Sequence, residues 1–408
     1  MKWLSENDIK SFLNLRDYDL RKSNNARWID QKCTADVITM VADCIMQFAE
    51  HSESIEFSSV DVWHNTYTVE NVESVFKKPN PDATRARNEY DKFFQQPMEM
   101  MAYAGILEKK KQKNRNFYTV SDMEMLEYLS IREKNSIEFL VAYITKVLSD
   151  SDFYCVVDEF FNRQTSNAYN DLKDSFSTFT INNTPINGTL ECNRIFTKVI
   201  NPLAYKLNRR GTEGGRFSKH NITYDMLMYN RDNFRDINAN KPKEITRSEY
   251  AEQQGIKTDE NYTRYLSQKA KRIVRLFNDE FRNGKTEVYD ARHIKDAAVH
   301  IHHIFPEATY PEICAYYENL IALTPTQHLN YAHPLGNTQR VDSAYQHICL
   351  IAKTDNIREN LESVEQEHIY DFSNLQFVLC TGLERDVFWE IGDGDYDSVV
   401  REINLAYA

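Results

Sequence analysis

Val37, Ile38, Val41, Cys44, Ile45 and Phe48 recur at the spacing of one helical face, placing an amphipathic helix after Thr34. Stretches of this kind make residues 1 to about 150 mostly helical. A second one runs from Asp82, at the position of an N-cap, through Tyr90, Phe93 and Phe94 to Ala104, where Gly105 supplies a stop. Pro97 falls inside it, so a break or kink is expected there, with a separate short helix from Met98. With 408 residues, the chain is too long for one core and fits two or three domains.

The next stretch, GILEKKKQKNRNFYTVSD, has β-prone pieces at 106–107 and 117–120. They flank a polar tip carrying Lys109, Lys110, Lys111, Lys113 and Arg115, and a helix follows over 123–129. Helices, then a basic hairpin, then a helix is an order that resembles a winged helix. The resemblance implies DNA binding, with the basic tip meeting phosphates; a solvated turn is the plain alternative. Asn135 or Ser136 is expected to cap a further helix with Ile137, Leu140, Val141, Ile144 and Leu148 on its apolar face. The pattern stops around 149–152, which sets a boundary for a first domain, 1–150.

The region 151–285 carries a helix from Thr189 towards Ile200, expected to end near Pro202. A basic stretch, LNRRGTEGGRFSKHN, follows with Arg209, Arg210, Arg216, Lys219 and His220. Its three glycines predict an adaptable loop rather than a strand or helix, able to meet a DNA backbone or base edges, or else only solvent. A long helix from about 261 to 283 then bears Lys269, Lys271, Arg272, Arg275 and Arg282. Tyr265, Ile273, Leu276 and Phe277 form its buried side.

The formal net charge of −12 weighs against a nucleic-acid partner only if charge is spread evenly; local basic patches on an acidic body remain compatible with one. Eleven glycines and ten prolines exclude collagen-like, linker-rich and largely disordered chains. The 24 Tyr and 22 Phe supply core area and, where exposed, surfaces for stacking on bases. Seven scattered cysteines without a Cys-x-x-Cys pair predict free thiols in a reducing compartment and no structural zinc knuckle. The start MKWLSENDIK lacks a signal-peptide core and no apolar run is long enough for a membrane span, so a soluble cytoplasmic protein with no membrane partner is expected.

The chemistry concentrates in VHIHHIFPEATYPEICAYYENLIALTPTQHLNYAHP, residues 299–334, which holds five of the eleven histidines. A strand-like piece ends in His302-His303-Ile304-Phe305-Pro306; a second apolar piece begins at Asn319; Thr324 or Thr326 then caps a helix bearing His328. Strand, loop, strand, helix with imidazoles at both ends is suited to a divalent cation. Two protein ligands leave positions open for water and a phosphate oxygen, and a further imidazole beside them can take a proton from water.

These residues resemble the ββα-metal module of His-Asn-His endonucleases. That family's pattern is Asp/His-His-Ile-x-Pro, a loop, Asn-Leu-x-x-Leu, and a His or Asn nine residues after the first Asn. The chain has His302-His303-Ile304-Phe305-Pro306, then Asn319-Leu320-Ile321-Ala322-Leu323, then His328 nine after Asn319. The helix start Thr324-Pro325-Thr326-Gln327-His328 is also similar to colicin-type nuclease domains. By resemblance, His302 and His328 hold the metal, His303 is the general base and Asn319 positions the loop carrying it. Colicin-like members place another His four residues after the helix His; here that position is Ala332, and His333 stands one further on, as a possible additional ligand. His300 has no counterpart, and strand alternation makes it a neighbour of His302 with a packing or phosphate-contact role.

The resemblance implies Mg²⁺, or Mn²⁺, and hydrolysis of double-stranded DNA. The large region preceding the module is similar in arrangement to type II restriction endonucleases of this class, with a homodimer to cut both strands. A modification-dependent or nonspecific defence DNase, and a non-catalytic winged-helix regulator, are the competing readings. Pro81-Asp82 with Glu108-Lys109-Lys110 formally fits the pattern of the other large nuclease class, but it is short and Asp82 sits at a helix start. Asp393-Gly394-Asp395-Tyr396-Asp397 lacks the later Gly and Glu of a calcium loop, and no phosphate loop of the nucleotide-hydrolase type is present. The expected architecture is α+β and mostly helical: a winged-helix-like domain over 1–150, a helical and loop recognition region over 151–285, a ββα-metal module over 286–345 and an α/β extension over 346–408.

Overall fold

The computed structural model describes residues 4–51, 55–76, 78, 80–83, 87–229, 260–290, 296–333 and 341–408. Among these residues the protein is mostly helical with three two-stranded antiparallel sheets, an α+β chain as expected. It divides into two compact units, the first ending at Lys257 and the second spanning Thr258–Ala408. No division falls at 150: α8 (Glu133–Asp150) packs on both α9 (Tyr154–Arg163) and α11 (Thr189–Lys206). The basic helix expected with the middle region belongs instead with the histidine-bearing strands.

In the first unit, α1 (Glu6–Leu13) and α2 (Leu20–Ser23) precede α3 (Ala35–His51), the helix expected after Thr34. It is buried on all sides rather than on one face: Val37, Ile38, Met40, Val41, Ala42, Cys44 and Ile45 are all buried, and so are Asp36 and Asp43. Those carboxylates are tolerated because each has donors: the backbone N–H of Tyr229 for Asp36, at 2.8 Å, and the Tyr67 hydroxyl for Asp43, at 2.7 Å. α4 (Ser59–Trp63) and α5 (Thr66–Phe76) follow. α6 (Arg87–Ala104) then runs unbroken through Pro97 to Gly105, which adopts φ +92°. The expected N-cap, Asp82, lies before the helix in a turn, and the residues between 83 and 87 lie outside the described ones. The backbone bond lost at Pro97 costs about 3 kcal/mol. Phe93, Phe94, Met98 and Met101 are fully buried around it, each worth about 1.5–3 kcal/mol, so packing holds one helix where the sequence reads two. The same correction applies to Pro202, inside α11 between buried Asn201 and Leu203.

Strands β1 (Leu107–Gln112) and β2 (Arg115–Val120) form the first hairpin, joined by Phe57 through a bridge to Tyr118, and α7 (Met123–Ile131) follows. α8 begins at Glu133 after Arg132, so Asn135 and Ser136 lie within its first turn rather than capping it. After α10 (Ser166–Asn183) and α11 comes a second hairpin, β3 (Arg210–Glu213) and β4 (Arg216–Asn221), where a loop was expected. Gly214 and Gly215, both at positive φ, make the two-residue turn whose twist matches paired strands. Asn201 braces it from α11 through Thr212, donating to its carbonyl at 3.0 Å and accepting from its N–H at 2.9 Å.

The second unit contains α12 (Glu260–Arg282), β5 (His300–His303), β6 (Leu320–Leu323), α13 (Ser343–Glu362), α14 (Phe372–Leu383) and α15 (Tyr396–Ala406). β5 and β6 pair with His300 opposite Leu323 and His303 opposite Leu320. Ala270 and Val274 of α12 pack on Leu320 and Ile301. Buried Glu287 ties β6 to α13: it accepts from Ala322 N–H at 2.8 Å, Lys353 at 3.0 Å and Asn356 at 2.9 Å. Gly382 of α14 lies against Phe305, and a Cβ there would come within 2.4 Å of the ring. Asp395, in the acidic stretch before α15, caps that helix through Ser398 N–H.

Candidate metal centre

A β-strand sends alternate side chains to opposite sides, and β5 uses this to separate two environments. Ile301 packs towards α12, and His303 also touches it, its Nε2 lying 3.3 Å from the Ser267 hydroxyl. His300 and His302 turn to the other side and meet His328 and His333. His300 stacks on His328 with ring centroids 4.7 Å apart and planes 13° apart. His302 lies edge-on to His328 at 5.2 Å and to His333 at 4.9 Å, and the last two are 4.8 Å apart. One ring nitrogen from each of His302, His328 and His333 lies within 4.8 Å of the other two.

His328 and His333 reach this position through an irregular turn. Thr324 begins it, its hydroxyl accepting from Gln327 N–H at 3.2 Å and its carbonyl from His328 N–H at 2.9 Å. Of the two threonines weighed as caps, Thr324 makes these bonds. Buried Gln327 fixes the turn by donating to Val288 O at 3.1 Å and accepting from Thr286 at 2.6 Å. The segment Gln327–Ala332 is a π-helical turn, not the α-helix expected. A π turn accommodates an extra residue, and this brings the fifth position after His328, His333, to the side of the other two imidazoles. Ala332, which the colicin-like spacing would have made a ligand, is buried.

Asn319 is fully buried and braces the loop between the strands. Its Oδ1 accepts from Phe305 N–H at 2.8 Å, while its Nδ2 donates to Phe305 O at 3.1 Å and Ile313 O at 3.2 Å. His303 Nε2 lies 3.0 Å from Cys314 O. A carbonyl only accepts, so the proton of neutral His303 resides on Nε2 and Nδ1 is left with its lone pair. Glu307 Oε2 accepts from Ser267 at 3.1 Å and lies 3.9 Å from His303 Nε2, supporting the same face.

Burial holds His302, His303 and His328 neutral. His302 is held well below the ordinary value of 6.5, first by desolvation and then by its neighbours His328 and His333. Desolvation also lowers His303 and His328 to about 4, with Lys271 contributing to both. Neutral imidazole is the form that binds a cation or accepts a proton. Between about 4 and 6.5 the unfolded chain binds protons that the folded chain refuses, so this share of stability is full above 6.5 and lost as pH falls. In the presence of a chelator, wild type is expected to lose more melting temperature between pH 6.5 and 4.5 than His303→Asn; equal losses would contradict the account.

The residues fit a metal ion. His328 Nδ1 is buried without a hydrogen-bond partner, a polar atom that a cation would satisfy. Metal–imidazole bonds are about 2.0–2.1 Å, so the three nitrogens, up to 4.8 Å apart, would draw together around an ion. The donor set is all imidazole, without a carboxylate. It suits Zn²⁺, Ni²⁺ and neighbouring transition ions better than Mg²⁺ or Mn²⁺, which prefer oxygen ligands.

The DNA-contact candidates fall on the two hairpins of the first unit. Lys109, Lys110 and Lys111 lie along β1 rather than at its tip, and Lys113 marks the turn at φ +53°. Lys109 is spoken for: it pairs at 2.7 Å with buried Glu99, which also accepts from Asn116 and Tyr118. The 3.5 Å approach of Asp82 to His64 gives that carboxylate a partner outside the competing Pro-Asp pattern. Lys110, Lys111, Lys113 and Arg115 are exposed. On the second hairpin, Arg209, Arg216 and Lys219 are exposed, whereas Arg210 donates to Gln164 O at 2.5 Å and covers the Phe217 ring at 4.2 Å.

All seven cysteines are free, as expected, and no helix among the described residues is long and apolar enough to cross a membrane. No protein-family model, curated protein or solved structure matches the chain. Ser267, Glu307 and the Cys314 carbonyl were not singled out from sequence. The available signal was Ser267 and Lys271, polar and one turn apart, beside the apolar positions of α12.

Proposed function

We propose that this protein is a metal-dependent endonuclease of the His-Asn-His type, hydrolysing phosphodiester bonds in double-stranded DNA. The observation that carries the reading is the juxtaposition of three converging imidazoles with a fourth, His303, whose free nitrogen is fixed by Cys314 O. His302, His328 and His333 would hold the cation, which when bound supplies Lewis-acid stabilisation of the charge developing on phosphate oxygens. His303 Nδ1 takes a proton from water as its oxygen bonds to phosphorus and the opposite P–O bond breaks. Asn319 keeps the intervening loop in register, so His303 keeps its alignment. His300, stacked on His328, holds that ring in orientation.

One such centre cuts one strand, so double-strand cleavage is proposed to require two copies of the chain. The exposed cations of the two hairpins, Lys110, Lys111, Lys113, Arg115, Arg209, Arg216 and Lys219, are proposed to meet the DNA backbone. Helices followed by a hairpin occur twice in the first unit, each time with exposed cations on the hairpin, and this favours a winged-helix-like recognition region. Sequence-specific cleavage of the type II restriction kind is the proposed biology.

The test is conversion of supercoiled plasmid to nicked and linear forms with Mn²⁺, Zn²⁺, Co²⁺, Ni²⁺ or Mg²⁺. Cutting is expected with at least one transition ion and none in chelator. DNA binding without cutting under every metal would leave the second reading, a DNA-binding regulator, in its place.

A further inference from the structure

We infer that Lys271 is a catalytic residue of this centre, its ammonium contacting the scissile phosphate; the inference rests on the nuclease reading above. The placement comes from α12. Ser267 reaches His303, and two turns further along Arg275 donates to Val299 O, just before β5. Lys271 stands midway, one turn from each, and residues i and i+4 share a helical face. Its side chain therefore lies along β5, on the helix that packs against it. The charge is felt at the site: Lys271 acts on His302, His303 and His328 together.

A half-buried lysine in such a place normally has a carboxylate partner. Among the described residues, no hydrogen bond or ion pair engages this one, although Glu307 lies near enough to act on its charge. An ammonium kept from water without a partner is unfavourable for the fold. Its neighbours on the same helix are committed: Lys269 covers the Tyr265 ring at 5.3 Å, and Arg282 pairs with Glu359 at 2.8 Å. Glu307 is the one carboxylate among the described residues that acts on the Lys271 charge. With His302, His303 and His328 neutral, a bound divalent cation and the Lys271 ammonium would outweigh the Glu307 carboxylate. Such a site is suited to an anionic guest, and a phosphodiester gains further charge on its oxygens as water attacks.

Lys271 also distinguishes itself from a structural residue by the sign of its effect on stability. Lys271→Met keeps length and apolar stem but removes the desolvated charge. It is expected to melt at or above the wild-type temperature, while plasmid cleavage falls about 100-fold, the scale of a lost transition-state donor. Inorganic phosphate should inhibit cleavage by wild type and, at equal concentration, inhibit the residual activity of Lys271→Met less. Lys271→Arg should restore part of the rate, because the charge returns in altered geometry.

Cleavage by Lys271→Met within threefold of wild type would overturn the inference. So would a lowered melting temperature that Lys271→Arg repairs together with activity, since that marks a packing role. If wild type itself cuts under no metal condition, the nuclease reading fails first, and the two failures are told apart by that control.

Discussion

His303→Ala is expected to cut supercoiled plasmid about 10²–10⁴-fold more slowly than wild type, the range of a lost general base. Titration with a transition ion should show its metal affinity little changed. The separation follows from the two sides of β5: His302 faces the imidazole cluster, whereas His303 faces Ser267 and the Cys314 carbonyl. Removing His303 leaves the three converging rings in place. The chemistry is lost because the proton acceptor that the Cys314 carbonyl leaves free, His303 Nδ1, goes with the side chain. Equal cutting by both proteins would remove His303 from the mechanism. A parallel loss of metal would instead place it among the ligands, contrary to its orientation.

His302→Ala should abolish metal-dependent cutting, and His333→Ala should weaken metal affinity strongly, although the family spacing falls on Ala332 and leaves His333 only as a possible additional ligand. His302 is itself buried, and its ring meets both His328 and His333. Without it the remaining pair offers two donors, too few for tight retention of a transition ion. His333 is the sharper case. If the π turn places it as a third ligand, its loss should cost at least as much as loss of an outer-shell partner, about 10–100-fold in affinity. If two ligands suffice, His333→Ala will bind metal as wild type does. Calorimetric titration of the chelator-stripped protein distinguishes these outcomes, and neutral pH is required because protons compete for the same nitrogens.

The local patterns that proved legible were those written in a single element. The helical spacing from Val37 to Phe48 is in α3, and His302, Asn319 and His328 carry enough spacing to predict where imidazoles converge. The misread features depend on partners distant in sequence. Pro97 and Pro202 sit inside helices because buried neighbours on both sides hold the chain together where local preference would part it. The glycines after Arg210 looked like slack but are the tight turn of a hairpin, anchored by Asn201 from the preceding helix. Lys109 looked like a free cation at a tip, yet its charge is consumed by Glu99 of α6. His333 was obscured by one extra residue, since spacing rules assume an α-helix and this turn is wider.

The contact between Gly382 and Phe305 carries a consequence for how this centre is built. Phe305 is the residue that Asn319 grips from both its N–H and its carbonyl. The seat beneath that grip is a bare stretch of helix near the far end of the chain, where even a methyl group would push the ring aside. The histidine strands thus supply the reactive groups but not their own foundation. What lies beyond them is a plinth rather than a tail, and a shortened catalytic fragment ending before α14 would carry every reactive side chain and still lack the surface that levels them.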